Sequence, residues 1–334
     1  MRIGVVGTKG GWSSELLADT VGRATGHRLL IEMDKVRLDL PSGRCMYEGT
    51  DLSTLDALII KKIGAWYSPD LLDRLEMLRL LNERGLPVFS APLRVLRVLD
   101  RLSCTITLQS GDIPMPPTTI TEDVDHAVEA VRDYGRAVFK PLYSTKARGM
   151  TIMEDGPGLR EQIAAYKADH SILYIQKTIE LEGGQDLGVV FLGGRYLTTY
   201  ARCRTNGSWN TTTVNGGKYA AFEPPAEIID MARRAQALFG LDFTCVDVAL
   251  TASGPYVFEV SAFGGFRGIL ETSGLDAAQL LLEHVQGCLS DSSLPGGGGG
   301  SAPFITLPVS PAVPPITSPA TSPSVPPITM EPAA

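Results

Sequence analysis

The sequence predicts an α/β protein in four parts: an N-terminal α/β domain over residues 1–100, α+β subdomains over 101–180 and 181–290, and a disordered tail over 291–334. Short apolar runs alternate with helical patterns in the first part, which is typical of a mainly parallel sheet. Strand-like runs dominate the third part and include a hairpin pattern. The tail opens with glycines at 296–300 and continues as Pro, Ser, Thr and Val with almost no charge, so it cannot bury a core.

The first part begins with the strand Arg2–Val6 and the helix Ser14–Thr25. The strands Arg28–Glu32 and Ala57–Lys61 and the amphipathic helix Ser68–Arg84 continue the alternation. Between the first strand and helix lies G-T-K-G-G-W, which matches neither G-x-G-x-x-G nor the P-loop pattern. A plain strand-to-helix turn is favoured there, and a phosphate-binding role stays open.

One long helix, Leu93–Gln109, is predicted to lead from the first part into the second. It continues with the strands Val138–Leu142 and Ile172–Gln176, which a polar loop separates. The third part contains the helices Pro225–Leu238 and Asp276–Cys288, which flank the hairpin pattern.

The chain has 334 residues, of which 44% are hydrophobic and 20% charged, with a formal net charge of -7. This composition is typical of a soluble protein, and an acidic chain is not expected to bind nucleic acid. No segment resembles a transmembrane span or a signal peptide, so a cytoplasmic protein without a membrane partner is expected. The cysteines and histidines are too scattered to predict a disulfide framework, a zinc site or a histidine-based triad.

Two carboxylates lie inside the apolar runs of the predicted hairpin. Asp247 is in the first run and Glu259 in the second, and T-A-S-G-P forms the turn between them. Burying a lone charge costs several kcal/mol, so a buried carboxylate needs a strong partner. Oxygen ligands from two adjacent strands suit a magnesium ion that also binds phosphate and water. Spacing alone leaves open the alternative that both side chains face solvent.

Cations follow the strand of the second part. Lys140 precedes Pro141 at the end of a strand, so its ammonium can point into a cleft. The loop after it contains Ser144, Lys146 and Arg148, whose hydroxyl and charges suit phosphate oxygens. Charged surface loops of this composition are common, so this pattern is not specific when taken alone.

The next strand supplies an edge for a flat ligand. It ends in Y-I-Q-K-T-I, with Gln176, Lys177 and Ile179, and acidic residues follow up to Asp186. Main-chain groups of an extended edge can bind an adenine, and a carboxylate a few residues later can accept ribose hydroxyls.

The order of these features resembles the ATP-grasp superfamily, and most closely its RimK-like branch of ATP-dependent carboxylate–amine ligases. The resemblance covers residues 1 to about 290. It is carried by V-F-K, Y-I-Q-K-T-I, G-Q-D-L, N-G-G at 215–217, V-D-V and F-E-V-S-A. It implies an ATP-grasp fold with an N-terminal pre-ATP-grasp domain, and ATP and Mg²⁺ as cofactors.

The resemblance also implies roles for individual residues. Arg101 and Lys140 match positions that hold the triphosphate, and Gln176, Lys177 and Ile179 match the adenine-binding hinge. Asp186 matches the ribose carboxylate, and Asp247 and Glu259 match magnesium ligands. Arg202 falls near an arginine that acts on phosphate or on the tetrahedral intermediate, although a solvated strand residue is an equal alternative.

The chain departs from the family pattern in two places. The usual metal-ligand asparagine is Ser261 here, and the turn after it reads A-F-G-G-F-R, which brings in Arg267. The phosphate loop has lost most of its glycines and gained Lys146 and Arg148. A second metal ion is therefore expected to bind poorly, with the added cations partly replacing its charge.

The function implied by the resemblance is a ligase reaction in which ATP phosphorylates a carboxylate and an amine attacks the acyl phosphate, with Arg202 or Arg267 steadying the intermediate. A small-molecule kinase and a nucleotide-binding scaffold with weak catalysis are the alternatives. Lys61, Lys62, Arg202 and Arg267 indicate an acidic co-substrate, either a small molecule or a peptide end. A homo-oligomer, and a partner for the proline-rich tail, stay open.

Overall fold

The computed structural model describes residues 1–205 and 208–292. The predicted disordered tail lies outside the described residues from position 293 on, as do its proline-rich repeats. Within the described ranges, none of the helices combines the length and the apolar character that crossing a lipid bilayer requires.

The N-terminal region is built on a four-stranded parallel sheet. Its strands are short and almost wholly buried, and they lie in the order β2-β1-β6-β7. A small antiparallel sheet, β3-β4-β5, was not predicted, because its strands are short and mix polar with apolar residues. The elements are β1 (Ile3–Val6), α1 (Trp12–Thr25), β2 (Leu30–Ile31), β3 (Arg37–Asp39), β4 (Arg44–Tyr47), β5 (Thr50–Asp51), β6 (Ala57–Ile60), α2 (Asp70–Glu83), β7 (Val88–Phe89) and α3 (Pro92–Leu99).

The helix predicted over Leu93–Gln109 is wrong as one element, because the chain breaks at Asp100. The backbone of Asp100 is extended, with φ -90° and ψ 125°, and a second helix, α4 (Arg101–Ser110), starts after it. The Asp100 carboxylate accepts hydrogen bonds from the amides of Leu102 (3.1 Å) and Ser103 (3.2 Å), which is a normal N-cap. The break makes Arg101 the first residue of α4.

The middle region is an antiparallel sheet in the order β10-β9-β11-β8, packed against two helices. The polar loop predicted between the two strands of this region is only partly a loop. It also contains a strand and a helix, whose polar outer faces concealed their periodicity. The elements are β8 (Thr118–Thr121), α5 (Val124–Tyr134), β9 (Arg136–Phe139), β10 (Thr151–Glu154), α6 (Leu159–Asp169) and β11 (Leu173–Lys177).

The third region is a five-stranded antiparallel sheet in the order β14-β13-β12-β15-β16. One face is apolar and belongs to the main core. The other face carries the charged cleft residues together with apolar residues of a second core cluster, among them Val190 and Cys245. The α/β fold class is confirmed, with the α+β part where it was expected. The elements are β12 (Gln185–Leu192), β13 (Arg195–Cys203), β14 (Lys218–Ala221), α7 (Ala226–Ala237), β15 (Phe243–Thr251), β16 (Gly254–Ser261), α8 (Phe266–Ser273) and α9 (Ala277–Ser292).

Candidate active site

A single cleft of about 940 Å³ receives residues from all three regions of the fold. It is bounded by the carboxyl-terminal edge of the parallel sheet, by the middle sheet and by the charged face of the third sheet. Arg148 is the one predicted site residue outside its lining. The others line it together: Arg101, Lys140, Ser144, Lys146, Gln176, Lys177, Ile179, Asp186, Arg202, Asp247, Glu259, Ser261 and Arg267.

Lys140 is a buried cation at the back of the cleft. Its Nζ donates to Gln176 Oε1 at 2.5 Å and lies 5.2 Å from the centre of the Phe258 ring. The Gln176 amide donates in turn to Thr118 Oγ1 at 2.9 Å, which fixes its orientation. Burial, and then the charge of Arg101, lowers the pKa of Lys140 to about 7. An anion in the cleft would therefore remove a large part of the cost of keeping this ammonium charged.

Arg101 ties the loop after β9 to β16. Its Nε donates to the carbonyl of Pro141 at 3.1 Å and its Nη2 donates to Ser144 Oγ at 3.3 Å. Its Nη1 pairs with Glu259 Oε2 at 3.0 Å. The sequence placed Arg101 and Glu259 in one cleft but did not predict their direct contact.

Asp186, Arg202 and Asp247 form a buried ion triad on three adjacent strands. Asp186 of β12 is opposite Arg202 of β13. Asp247 of β15 is opposite Gly188 of β12. Arg202 Nε donates to Asp186 Oδ1 at 3.3 Å, its Nη2 also pairs with Asp186 Oδ2, and Nη2 lies 3.1 Å from Asp247 Oδ2. The Arg202 side chain is 19% exposed, so it is not a solvated strand residue.

Desolvation dominates the charge state of Asp247. Burial raises the pKa of Asp247 to about 7, because the Arg202 charge offsets only part of the desolvation cost, and Glu259 and Asp186 add repulsion. The site therefore favours any cation that approaches Asp247 from the cleft side.

The donor set of this corner fits a magnesium ion that also binds phosphate and water. Asp247 and Glu259 are direct register partners on β15 and β16, on the charged face of the sheet. Each uses one oxygen on an arginine, so Asp247 Oδ1 and Glu259 Oε1 would be the metal ligands. Asp247 Oδ1 also accepts a weak hydrogen bond from the Cys245 thiol at 3.6 Å. The Ser261 hydroxyl already accepts a hydrogen bond from the amide of Phe263 at 3.2 Å. Among the described residues no group of three acidic, His or Cys side chains is placed to hold a metal by itself.

The loop after Lys140 has an unusual backbone. Lys146 and Ala147 are consecutive non-glycine residues in the left-handed region, with φ of 59° and 58°. Lys146 lines the cleft, whereas the Arg148 guanidinium lies 4.8 Å from the centre of the Trp66 ring. The Arg148 side chain therefore lies outside the cavity, although the sequence predicted that it would contact phosphate there.

The connection between the middle and third sheets forms another side of the cleft. β11 ends at Lys177, whose amide donates to the carbonyl of Pro117 at 2.8 Å. The Lys177 side chain is exposed, and Ile179 is half-buried in the cleft lining. The Thr178 amide donates to the carbonyl of Arg136 at 3.1 Å, and a short 3-10 helix, Glu182–Gly184, then precedes β12 and Asp186.

Other cleft residues were not predicted as a site. The cavity is also lined by four aromatic residues: Trp12, Tyr67, Tyr200 and Trp209. The position of Trp12 directly after a strand and a glycine turn was a usable signal, because ligands bind at the carboxyl ends of parallel strands. Tyr200 is two residues before Arg202 on the same strand, so strand alternation was also a usable signal for it. Tyr67 and Trp209 are separated from the motifs in sequence, and only the fold brings them to the cleft.

Known proteins share this architecture. The structure of the ATP-grasp ligase PsnB, complexed with a phosphomimetic variant of its minimal precursor, Mg and ADP, matches with a TM-score of 0.67 at 16% identity, over 86% of this chain and 98% of that one. The tetrahydromethanopterin:alpha-L-glutamate ligase of Methanosarcina acetivorans is 26% identical over 266 residues, 71% of this chain and 82% of the relative. A probable alpha-L-glutamate ligase of Psychromonas ingrahamii is 26% identical over 273 residues, 79% of this chain and 88% of the relative.

The fold and the cleft together define an ATP-grasp ligase. The model of the RimK-like ATP-grasp domain matches residues 98–285, and the chain belongs to this family. The resemblance predicted from the order of the sequence motifs is thus confirmed.

Proposed function

We propose that the protein is an ATP-dependent carboxylate–amine ligase that forms an amide bond through an acyl phosphate. The observation that carries the proposal is the convergence of the buried Arg101 and Lys140 and the largely buried Arg202 with the register-paired carboxylates Asp247 and Glu259 in one cleft. Such a site neutralises phosphate charge and needs no nucleophilic side chain.

The nucleotide lies between the middle and third sheets in this proposal. Lys140 and Arg101 hold the phosphates with Ser144 and Lys146, and Arg148 joins them by leaving Trp66. The segment from Gln176 to Ile179 contacts the adenine, and Asp186 accepts the ribose hydroxyls. Asp247 and Glu259 hold Mg²⁺, with Ser261 at its margin. A bound magnesium ion would neutralise part of the phosphate charge and orient the oxygens.

The chemistry requires two transfers. An oxygen of the substrate carboxylate attacks the γ-phosphorus, and ADP leaves. The amine nitrogen then attacks the acyl carbon, and phosphate leaves as the amide forms. Arg202 and Arg267 are proposed to stabilise the acyl phosphate and its adduct with the amine, because both line the same cleft.

We further propose that one substrate is acidic. The cleft contains Lys61, Lys62 and Arg267 beyond the cations assigned to the phosphates. Two relatives are named as alpha-L-glutamate ligases, which agrees with a glutamate-like amine. The carboxylate partner is a small molecule or a peptide end, and the proposed location is the cytoplasm.

The test is amine-dependent release of inorganic phosphate from ATP. The purified full chain is incubated with Mg-ATP, L-glutamate and a panel of carboxylic acids, and products are identified by mass spectrometry. Amide formation with stoichiometric ADP and phosphate is expected, and K140M and E259A should abolish it. R233A, which removes an exposed cation paired with Asp230 on α7, is the matched control.

Other outcomes assign other functions. A stable phosphorylated product without amine would make the protein a kinase. Tight ATP binding without turnover under any substrate pair would make it a nucleotide-binding scaffold. Either result contradicts the ligase.

A further inference from the structure

Lys61 is a buried cation that the proposed nucleotide site does not use. It follows β6 at the carboxyl-terminal edge of the parallel sheet and is 4% exposed. Its Nζ donates to the carbonyl of Gly264 at 2.6 Å and lies 4.1 Å from the centre of the Phe266 ring. A carbonyl and an aromatic face only partly replace water around an ammonium, and no ion pair among the described residues involves Lys61.

Arg267 faces the same corner of the cleft. It is exposed in the first turn of α8, and its guanidinium lies 5.1 Å from the centre of the Trp12 ring. Like Lys61, it takes part in no ion pair with the described residues, whereas the cleft carboxylates Asp186, Asp247 and Glu259 are already paired with Arg101 or Arg202.

Two helix N-termini meet between these cations. α1 starts after Gly11 and α8 starts after Gly265, and neither glycine can supply a capping side chain. The helices approach so closely that the Phe266 amide donates to Ser13 Oγ at 3.4 Å. The partial positive charges of both helices therefore add to those of Lys61 and Arg267.

One acidic residue lies in the first turn of α1, but it is directed elsewhere. Glu15 accepts a hydrogen bond from the Gly10 amide at 2.8 Å and pairs with Arg28 at 2.6 Å. It is absent from the lining of the cleft, whereas the backbone from Gly11 to Ser14 forms part of that lining. The positive corner thus contains no carboxylate of its own among the described residues.

We propose that Lys61, Arg267 and the first turns of α1 and α8 form an anion subsite that binds a carboxylate of the second substrate, separate from the triphosphate. The inference rests on the proposed function, in which Lys140, Arg101, Ser144 and Lys146 hold the triphosphate. Lys62, the next residue, is close to the phosphate loop, since burial and then the charges of Lys146 and Arg148 lower its pKa. The subsite gives the enzyme its preference for an acidic substrate.

The test measures anion binding in the presence of a non-hydrolysable ATP analogue and Mg²⁺, so that the triphosphate site is filled. L-Glutamate, succinate and inorganic phosphate are titrated by calorimetry and by tryptophan fluorescence. At least one of the two carboxylates should bind more tightly than inorganic phosphate. Carboxylate binding should also change the fluorescence emission of Trp12, because it draws the Arg267 guanidinium away from the Trp12 ring. W12F should lose the fluorescence change and keep the heat of binding.

Variants locate the anion. R267A and K61M should weaken carboxylate binding about tenfold or more and change the affinity for the ATP analogue less than twofold, whereas K61R should recover part of the binding. R233A again serves as the matched control. Since K61M removes a buried group, R267A decides the result if K61M does not fold.

Three results would overturn the subsite: no carboxylate binding by the nucleotide-loaded parent, unchanged carboxylate binding in R267A, or an equal loss of nucleotide affinity in both variants. The last result would assign these cations to the triphosphate. Failure of amide formation alone contradicts the ligase proposal and leaves the measured anion subsite in place.

Discussion

Arg101 and Glu259 are joined by an ion pair of 3.0 Å although 158 positions separate them in the chain. The arginine side chain is nearly buried, whereas the Glu259 side chain is 41% exposed and faces the cleft. The pair connects the start of α4 to β16, and it sets the positions of a proposed phosphate ligand and a proposed metal ligand together.

Removing the Arg101 charge should weaken nucleotide binding. R101M loses a charge-assisted hydrogen bond to phosphate, which contributes about 1.5–3 kcal/mol, so the Kd of an ATP analogue should rise about tenfold to a hundredfold. Calorimetry with Mg²⁺ measures the change. R79A, which removes a surface ion pair on α2, should leave the Kd within twofold. An unchanged Kd in R101M would remove Arg101 from the phosphate site.

The cap of α4 should affect both stability and binding. D100A removes the N-cap carboxylate and should cost about 1 kcal/mol of unfolding free energy. D123A removes the equivalent cap of α5 and should cost a similar amount. Only D100A should also weaken ATP binding, because it loosens the adjacent Arg101. Urea unfolding and nucleotide titration of both variants check this, and equal nucleotide affinities would contradict it.

Lys140 should make ATP binding depend on pH. The pKa of Lys140 is about 7 in the protein without nucleotide, and an adjacent phosphate raises it. Binding at pH 8 should therefore take up a proton, and affinity should fall as the pH rises above about 7. Calorimetry in two buffers with different ionisation enthalpies measures the uptake. K140M should lower that uptake, and identical uptake in the variant would exclude Lys140.

The same lysine should shape stability in alkaline solution. Its pKa in the folded protein lies below the value of about 10.4 in the unfolded chain, so between these values the unfolded state binds more protons. Lys140 therefore makes the free energy of unfolding increase as the pH rises from about 7 to about 10. The K140M variant should show a smaller increase in urea unfolding, with Lys61 contributing the remainder since burial also lowers its pKa to about 7.

Ser261 should raise the Mg²⁺ concentration that ATP turnover requires. S261N introduces an amide oxygen next to Asp247 and Glu259, so half-saturation of ATP turnover should need several-fold less Mg²⁺. S261A is the control, because it removes the hydroxyl that accepts from Phe263 without adding a ligand. Equal magnesium requirements in the parent protein and S261N would show that position 261 does not reach the metal.

Loss of Arg202 should destabilise the third sheet. R202M leaves Asp186 and Asp247 buried without a counter-charge, which typically costs about 3–5 kcal/mol. R202K should retain only part of the stability. Its ammonium keeps the positive charge, but it cannot bond to both carboxylates in the geometry of the guanidinium. Urea unfolding at neutral pH measures both losses. A cost below about 1 kcal/mol in R202M would mean that the triad adds little.

The sequence by itself determined the local features of this protein. The strand patterns around Asp247 and Glu259 predicted the hairpin but not its register. The turn by itself would place Asp247 opposite Phe258, and a β-bulge between Asp247 and Val248 shifts the register so that Asp247 pairs with Glu259. The order of Lys140, Gln176 and Asp186, followed by the motifs V-D-V and F-E-V-S-A, was enough to recognise the family. The break at Asp100 was missed because an aspartate inside an apolar periodic run reads equally well as an exposed helical residue.

Only the tertiary structure decided how the charges are matched. Lys61 meets the Gly264 carbonyl across 203 positions, and Arg202 is shared between two carboxylates on neighbouring strands. Both arrangements depend on which strands become neighbours and on how far each side chain is withdrawn from water. Periodicity does not carry that information, because the energy of a buried charge is set by the groups around it in space and not by its neighbours in the chain.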